Sequence, residues 1–494
     1  MRRILLVFFG IFLLCGTAFS QEETDDWGEG DDDVGFADTA VVDVPKNVEK
    51  SALQLGGFFR SRAGLWLQRI STDPMSTARQ SLDIEAKYQG AWWRVVAGAH
   101  GEYDVAYAVD SGQYDDATNE VYTWRILNDD QYVALQWGKL DLTLGRQTVA
   151  WGEGDVFSPL DIVNPRDLRE PGLADLDDLR LSILATQVAY ATPLGRLEFI
   201  VTHEGYFGEQ PSPLSEYSPL RRVLGSDPEI RAFLDSRDVR YTHRQSPFDA
   251  DVGSAYLRWV TKGEGFDLGF YGAWLRDTQG VLIAPEGIEL LSRALQSGVP
   301  LSALSGAAPS VIELELDHRR YFLGGVSLGM VFGAFVAKGE LVSSHGRSLN
   351  TGDARAKVPT IGVGEADVVT TMLGVSYSGF SETIVGFEVL KSFMLHGPTD
   401  PLFKIDLPQF AVRVSRTFLR TRLRIDLAGT AMGYAAEYGW LARGEVTYEV
   451  ADALKIGLMF VHFGPGDAEN VGLLSGFTEH DQILAKIRWD FQLK

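Results

Sequence analysis

The chain of 494 residues contains a single cysteine, Cys15, which lies within its first twenty positions. A protein that loses this segment has no thiol, so neither a disulfide framework nor a cysteine metal site can hold its fold. The segment has the pattern of a secretory leader, because two arginines precede an apolar stretch and Ala18 and Ser20 are small residues before a cleavage site. We predict a signal peptide over residues 1–20 that is cleaved near Ser20.

Beyond this leader the sequence lacks a long hydrophobic run. The longest uncharged apolar stretch, 321–337, only just reaches the roughly 17 residues that a membrane-spanning helix requires. Four glycines inside it disfavour a helix, and a pair of β-strands explains the stretch better. We therefore do not expect helices that cross a membrane.

Positive charge is also scarce, since 45 lysine and arginine residues stand against 67 acids and the net charge is −22. Proteins that bind nucleic acid neutralise phosphates with basic surfaces, so we expect no nucleic-acid partner.

Motifs of catalysis and of metal binding are weak or missing from the sequence. Residues 325–329 match the G-x-S-x-G pattern, but a nucleophile elbow needs a turn from strand to helix, and these residues lie in a strand pattern. The eight histidines form no close pair such as H-x-x-x-H, and there is no glycine-rich phosphate loop. We predict no catalytic residues, no metal, no cofactor and no enzymatic activity.

What the chain does have is 52 glycines and 11% aromatic residues, with a mean hydropathy of −0.04. A barrel whose strands face lipid on one side and water on the other has such an average, because the two faces cancel. On composition alone, a soluble periplasmic β-sandwich is the alternative.

An acidic segment follows the leader. Residues 21–50 are rich in Asp and Glu without hydrophobic periodicity, which predicts a disordered N-terminal arm. Beyond the arm, apolar and polar residues alternate: Leu423, Ile425 and Leu427, for example, are separated by charged residues. This alternation suits strands between lipid and a wet lumen, and we predict a transmembrane antiparallel β-barrel over residues 51–494.

The periodic segments number about eighteen, an even count of the kind that bacterial barrels use. The predicted strands are 53–70, 79–89, 92–108, 122–138, 140–149, 181–191, 195–204, 251–261, 265–277, 314–330, 332–345, 366–378, 381–395, 407–418, 421–434, 438–450, 453–463 and 480–491. Tight turns alternate with long segments between them, a rhythm that outer-membrane barrels show and sandwiches do not. The aromatic last strand is typical of barrels handed to the barrel-insertion machinery. We therefore predict an outer-membrane protein of a Gram-negative bacterium, in contact with outer-membrane lipid.

Two long segments carry helical patterns. Residues 217–236 and 285–298 place apolar residues at helix-like spacing, which predicts short helices in outer loops. Such helices either pack on the rim of the barrel or act as a lid or partial plug.

The parity of the last strands predicts which side chains line the lumen. If Leu423, Ile425 and Leu427 face lipid, the residues between them face inward. The predicted lumen-lining residues are Arg413, Arg422, Arg424, Asp426, Arg443, Glu445, Lys455, Lys486 and Arg488. Acids are interleaved with bases, so the set is either a salt-bridge ladder that neutralises the wall or a basic stripe that attracts anionic or amphiphilic groups.

The segment 150–180 is the strongest candidate for a functional site. Its prolines restrict the backbone, and its mixed apolar and charged composition suits a loop folded into the barrel beside a water path. The candidate constriction residues are Trp151, Glu153, Asp155, Asp161, Asn164, Pro165, Arg166, Asp167, Arg169 and Arg180. A purely structural clamp is the alternative to a constriction that contacts cargo.

The same segment carries a family resemblance. The series Gly145-Arg146-Gln147, Trp151-Gly152-Glu153 and Asn164-Pro165-Arg166-Asp167-Leu168 resembles the motif of the outer-membrane proteins grouped as domain-of-unknown-function family DUF1302. The similarity covers most of residues 53–491, and the acidic arm departs from the family pattern. The resemblance implies transport of hydrophobic or lipid-like cargo, with an inner-membrane exporter of the resistance-nodulation-division type and a periplasmic carrier as partners.

The sequence is compatible with several functions. The first is a channel or conduit for hydrophobic or lipid-like cargo, and the second is a general or solute-selective diffusion porin. A structural or adhesin barrel and a barrel enzyme are less favoured, the latter because no Ser/His spacing supports it.

Overall fold

The computed structural model describes residues 53–109, 111–174, 179–220, 228–249, 251–283, 309–353, 361–467, 472–474 and 476–493, together with positions 297, 299 and 303. The predicted signal peptide, the predicted acidic arm and almost all of the predicted helix at 285–298 lie outside the described residues.

The period-two segments form strands, and eighteen of these make one antiparallel sheet. The sheet is closed, because the first strand pairs with the last from Leu55↔Leu493 to Trp66↔Gln482. In chain order the barrel strands are β1 (Leu53–Trp66), β2 (Met75–Gln89), β3 (Trp93–Asp104), β4 (Trp124–Trp137), β5 (Leu140–Gln147), β6 (Ile183–Thr192), β7 (Gly195–Thr202), β9 (Ala255–Gly263), β10 (Phe266–Arg276), β13 (Arg320–Phe332), β14 (Phe335–Thr351), β15 (Gly362–Phe380), β16 (Thr383–His396), β17 (Pro408–Phe418), β18 (Leu423–Met432), β19 (Trp440–Ala451), β20 (Leu454–Gly464) and β21 (Gln482–Leu493).

The predicted fold class is confirmed, and each predicted strand has a counterpart in the barrel. The predicted strand 314–330 is wrong at its start. There the chain first completes β12 (Val311–Asp317), which pairs outside the barrel, and only then enters β13. The stretch 321–337 is the pair of strands β13 and β14, joined by a tight turn in which Gly333 has φ +63°, a conformation that glycine adopts without strain.

The outer face of the barrel carries the exposed apolar side chains. On β18 Leu427 is 51% exposed, and on β20 Ile456, Leu458 and Phe460 occupy alternate outward positions. Phe332, Phe335, Tyr377 and Phe380 make a chain of ring contacts at the end where the short turns lie, with centroid distances of 6.2, 4.6 and 5.0 Å. An aromatic girdle of this kind marks a membrane interface.

In the described part of the chain, no helix is long and apolar enough to span a membrane. The helices there are short: Val105–Val109, Asp116–Thr123 and Pro228–Leu234, with a 3-10 turn at Ser111–Gln113.

Two of these helices correct the predicted ends of β3 and β4. Residues 105–108 and 122–123 are helical rather than extended. Asp115 caps the second helix by accepting a hydrogen bond from the Thr118 amide at 3.2 Å, and Tyr107 stacks on Tyr122 at 4.8 Å. The cap and the stacked rings favour helix over a continued strand.

The long segments between β7 and β13 build a small second sheet. Its strands are β8 (Asp238–His243), β11 (Val281–Ile283) and β12, with β12 parallel to β8 and antiparallel to β11. They bury an apolar cluster with the helix Pro228–Leu234. Of the predicted helix at 217–236, residues 217–219 are turn or irregular, and Pro228 stands at the helix start, where its missing N–H costs nothing.

Candidate functional site

The segment 148–182 between β5 and β6, which we call the lumen loop, is tied together at its base by Asn164. The Asn164 amide accepts a hydrogen bond from the Val149 N–H at 2.7 Å and donates to the carbonyls of Gln147 at 3.1 Å and Leu181 at 2.7 Å. Asn164 is buried, and the Leu181 N–H donates to the Pro165 carbonyl at 2.9 Å. One side chain therefore joins the start, the middle and the end of the loop.

The tip of the loop is held by two carboxylates that project from the barrel wall. Glu340 on β14 and Glu388 on β16 each accept hydrogen bonds from three backbone amides. Glu340 accepts from Glu153 (2.6 Å), Gly154 (3.1 Å) and Leu160 (3.0 Å), and Glu388 accepts from Asp155 (2.6 Å), Val156 (3.0 Å) and Phe157 (2.8 Å). Hydrogen bonds to an ionised acceptor are among the stronger ones in proteins, so these six fix the path of the tip.

The compact tip requires glycine at two positions. Gly152 has φ +91°, and a Cβ added there would lie 1.9 Å from the hydroxyl oxygen of Ser158. A Cβ on Gly154 would lie 1.9 Å from the Phe157 carbonyl oxygen. The glycine of the Trp-Gly-Glu motif is thus explained by a close approach within the loop.

Trp151 anchors the start of the tip against strands β7, β9 and β10. Its ring is almost fully buried, and its Nε1 donates to Glu198 on β7 at 2.8 Å. The ring centre lies 5.9 Å from that of Tyr256 and 5.5 Å from that of Tyr271. Leu160 is buried in the same apolar cluster.

The tip also reaches far along the barrel axis. Asp155 forms an ion pair of 2.6 Å with Lys338, and the Ser376 hydroxyl donates to it at 3.3 Å. Lys338 lies three residues after the start of β14, close to the end with short turns. The loop is therefore a finger that descends along the wall from β13 to β16.

Glu153 is the one tip residue whose ionisation is strongly perturbed. Burial raises the pKa of Glu153 to about 7, and the nearby carboxylates of Asp267 and Glu340 act in the same direction. The Ser327 hydroxyl, which donates to it at 3.3 Å, offsets this only in part.

The second half of the loop binds the other side of the barrel through an arginine and carboxylate network. Glu170 pairs with both terminal nitrogens of Arg79 on β2 at 2.9 and 2.6 Å. Arg169 contacts Glu102 on β3 at 3.1 Å. Because β2 and β3 lie opposite β14 and β16 in the ring of strands, the loop crosses the lumen.

Asp167 is the centre of this network in the loop. It pairs with Arg125 on β4 at 2.6 Å and with Arg169 at 2.9 Å. Burial alone would raise the pKa of Asp167, but Arg169 and Arg125 outweigh it and hold that pKa well below its ordinary value.

The remaining predicted loop residues form a separate cluster. Asp161 pairs with Arg166 at 3.0 Å and with Arg180 at 2.9 Å, and the latter two are also joined by an isolated β-bridge. All ten predicted loop residues are therefore in the described part of the loop, but the structure distributes them over a base, a tip and a network rather than one constriction ring.

Eight of the nine predicted lumen-lining residues lie on β17–β21 at inward positions, and Arg422 does not. Arg422 lies exposed in the turn before β18, where its carbonyl accepts the Glu449 N–H. On the strands the ion pairs are Arg424–Asp426 (2.9 Å), Arg443–Glu445 (2.6 Å), Lys486–Glu445 (2.6 Å), Lys455–Asp490 (3.6 Å) and Arg488–Asp490 (2.7 Å). These pairs join charges of the same wall, and Arg443 also donates to the Ala174 carbonyl of the lumen loop at 2.9 Å.

Sequence reasoning missed the wall residues that hold the loop. These are Glu340, Glu388, Glu198, Arg79 and Arg125. Each is a charged residue at an inward position of a strand, so strand parity could have placed it in the lumen, but nothing in its neighbourhood indicates a bond to a distant loop.

A closed eighteen-stranded barrel with an apolar outer face and a charged lumen is an outer-membrane, porin-like transport barrel. The family model described as "Protein of unknown function (DUF1302)" matches residues 71–492. The chain therefore belongs to that family, as the motif series predicted. No curated protein sequence matches it.

Among solved structures the chain is similar to several outer-membrane proteins. Acinetobacter baumannii OccAB3 matches with 10% identity and a TM-score of 0.48 over 90% of this chain and 100% of that one. Pseudomonas aeruginosa OpdK matches with 11% identity and a TM-score of 0.45 over 90% and 99%. Pseudomonas aeruginosa OprD matches with 10% identity and a TM-score of 0.44 over 91% and 97%.

Proposed function

We propose that the protein is a solute-selective channel of the outer membrane that favours anions. In this proposal the lumen loop narrows the pore, and solutes pass along the wall formed by β17–β21 and β1. The observation that carries the proposal is the charge of that wall.

The inward positions of these six strands hold eight bases against four acids. The bases are Arg60, Arg62, Arg413, Arg424, Arg443, Lys455, Lys486 and Arg488, and the acids are Asp426, Glu445, Glu449 and Asp490. A local positive excess inside a protein of net charge −22 raises the local concentration of anions, and the low-dielectric walls of a pore strengthen the effect.

The test is the reversal potential of the refolded barrel in a planar bilayer under a salt gradient. We expect stable openings and a reversal potential of the sign that anion preference gives. A cation-selective pore would contradict the charge argument.

A second candidate is a conduit for hydrophobic or lipid-like cargo that works with an inner-membrane exporter and a periplasmic carrier. The observation that favours it is the loop that crosses the lumen, since such a barrel would be closed to small ions at rest. Under this alternative the refolded barrel conducts poorly, and cells that lack it retain an exported lipid-like compound.

A further inference from the structure

The outer half of β4 has an edge without a partner strand. On one side β4 pairs with β3 from Trp124 to Leu135. On the other side it pairs with β5 only from Gln131 onward, because β5 ends at Gln147. Among the residues that the structure describes, no strand pairs with Trp124–Asp130 on this second side. The hydrogen-bonded wall of the barrel is therefore interrupted beside this segment.

The interruption lies at the level of the outer leaflet. Trp137, which stacks on Trp92, marks the short-turn end of β4. At roughly 3.3 Å per residue and the usual tilt of barrel strands, Gln131 lies about 15 Å above Trp137. The apolar band of such barrels is about 25 Å tall, so the edge begins within it. A bare strand edge is not tolerated in hydrocarbon, so this edge must line a cavity or contact protein.

A cavity of about 370 Å³ lies against this edge, and we call it the portal cavity. Its lining includes residues of the edge and inward residues of β1, which are Arg125, Ile126, Leu127, Phe58, Arg60 and Arg62. The cavity therefore extends from the interrupted wall to the lumen.

Side chains and a short loop contact close the interruption in place of a β-ladder. Arg125 binds Asp167 of the lumen loop at 2.6 Å, and Asp167 is joined to Glu209 by an isolated β-bridge. Arg146, near the end of β5, pairs with Glu204. Such contacts can separate while the pairing of the barrel strands is kept, so this place can open locally in an intact barrel.

The two sides of the interruption differ in polarity. On the outer face Trp124 and Ile126 are 59% and 69% exposed, and the Trp124 ring centre lies 5.7 Å from that of Tyr103. The portal cavity is instead lined by seven arginines and six acids. An apolar molecule inside it would leave these charges without water, and a simple anion would meet acids as well as bases.

We infer that the interruption beside β4 is a lateral portal through which a lipid-like amphiphile passes between the lumen and the outer leaflet. Its polar head occupies the portal cavity, and its apolar chain lies against Trp124 and Ile126. A zwitterionic head suits a lining of both signs, while the chain stays in lipid. The inference rests on the second candidate function and deepens it, because it names the solute class and its route.

The experiment measures access from the membrane to a single cysteine in the portal cavity. The barrel without residues 1–20 contains no cysteine, so Ser182→Cys, at a buried serine of the lining, introduces the only one. Leu127→Cys, on the edge of β4, is a second test variant. Each variant is reconstituted in phosphatidylcholine vesicles and treated with a water-soluble maleimide or with a maleimide carried on a lipid head group.

The matched control is Ser344→Cys. Ser344 is also buried and lies at a similar distance from the short-turn end of its strand, but it does not line the cavity. Its strand β14 is paired there on both sides. Heat-modifiable migration on gels confirms that each variant assembles.

We expect the lipid-borne reagent, relative to the soluble one, to modify Ser182→Cys and Leu127→Cys at least about tenfold faster than Ser344→Cys, because modification follows the opening of the interrupted wall. Lysophosphatidylcholine should slow the soluble reaction at both test positions, since it occupies the portal cavity. The control should not respond to it.

Equal relative rates for the three variants would overturn the lateral portal, and a lack of protection by lysophosphatidylcholine would overturn its assignment to an amphiphile. The conduit is tested separately by export in cells. If cells that lack the protein retain a lipid-like compound but the barrel shows no lateral access, only the portal fails. Lateral access in a barrel whose loss leaves export unchanged contradicts only the conduit.

Discussion

Two walls of the barrel use their carboxylates differently. On β14 and β16, Glu340 and Glu388 accept hydrogen bonds from backbone amides of the lumen loop. On β18–β21, the carboxylates of Asp426, Glu445 and Asp490 bind basic side chains of the same wall. Both sides obey the same alternation of inward and outward residues. The first side holds the loop with two buried carboxylates, and the second pairs long charged side chains with one another. The tip of the loop is thus held by carboxylates of one wall, whereas the other wall pairs its own charges and touches the loop where Arg443 donates to the Ala174 carbonyl at 2.9 Å.

The largest effect is expected from removal of the tip. Deletion of Glu153–Ser158 joins Gly152 to Pro159, and the near contact between position 152 and Ser158 shows that these ends already lie close together. We expect single-channel conductance to rise several-fold, because the finger no longer occupies the lumen. Parental conductance in a variant that assembles normally would mean that the tip does not narrow the pore.

A second change releases the tip without removing it. Hydrogen bonds to charged acceptors contribute about 1.5–3 kcal/mol each against about 1 kcal/mol for neutral ones, so Glu340→Gln with Glu388→Gln should destabilise docking by roughly 3 kcal/mol or more. The measurement is protease cleavage within the loop. Glu85→Gln is the matched control, since Glu85 pairs with Lys87 at 2.7 Å on β2. Equal cleavage in the double variant and the control would contradict the role of the two carboxylates.

The ionisation of Glu153 makes docking of the loop depend on pH. Its pKa is about 7 in the folded protein against an ordinary value of 4.5, so the docked loop binds this proton more tightly than a released loop does. Docking therefore loses stability as pH rises from about 4.5 to about 7, by up to about 3 kcal/mol. We expect conductance noise to increase over this range, and Glu153→Gln to abolish the dependence. A pH response that survives in Glu153→Gln assigns it to another group.

The smallest effect is expected from single substitutions on the wall of β18–β21. Arg424→Ala removes an inward base and should shift the reversal potential slightly toward cations, because partly exposed ion pairs contribute only about 0–1 kcal/mol and the barrel should remain intact. Arg422→Ala should leave the reversal potential unchanged, since Arg422 lies in the turn. Equal shifts for the two variants would show that position in the strand does not decide selectivity.

The strands could be predicted from the sequence because each alternates with period two and is bounded by a turn, as β18 and β20 illustrate. The small second sheet of β8, β11 and β12 could not be predicted in this way. Its β11 has only three residues, too few to show a period, and β12 continues almost directly into β13. The alternation of apolar and polar residues indicates which face of a strand is buried, but it does not indicate which distant strand pairs with it.

The loop was recognisable as a site from its composition, yet its mode of attachment was not. A single inward acid such as Glu388 has the same sequence signature whether water or a distant amide satisfies it. Arg422 was misplaced for a related reason, because period-two counting extends a strand by one residue past the point where the turn begins. Leu419, Arg420 and Thr421 have positive φ, which ends the extended conformation there.

The attachment of the tip through main-chain amides has a consequence for how relatives of this protein can diverge. Every residue except proline supplies the N–H that Glu340 and Glu388 accept, so these carboxylates place few demands on the side chains of Val156 and Phe157. Asp155 differs, because its side chain also pairs with Lys338. Gly152 and Gly154 are fixed by close approaches, and Trp151 and Leu160 are fixed by packing in the buried cluster. In the proposed channel, substitution of Val156 or Phe157 is therefore expected to change which solutes pass while the loop keeps its course.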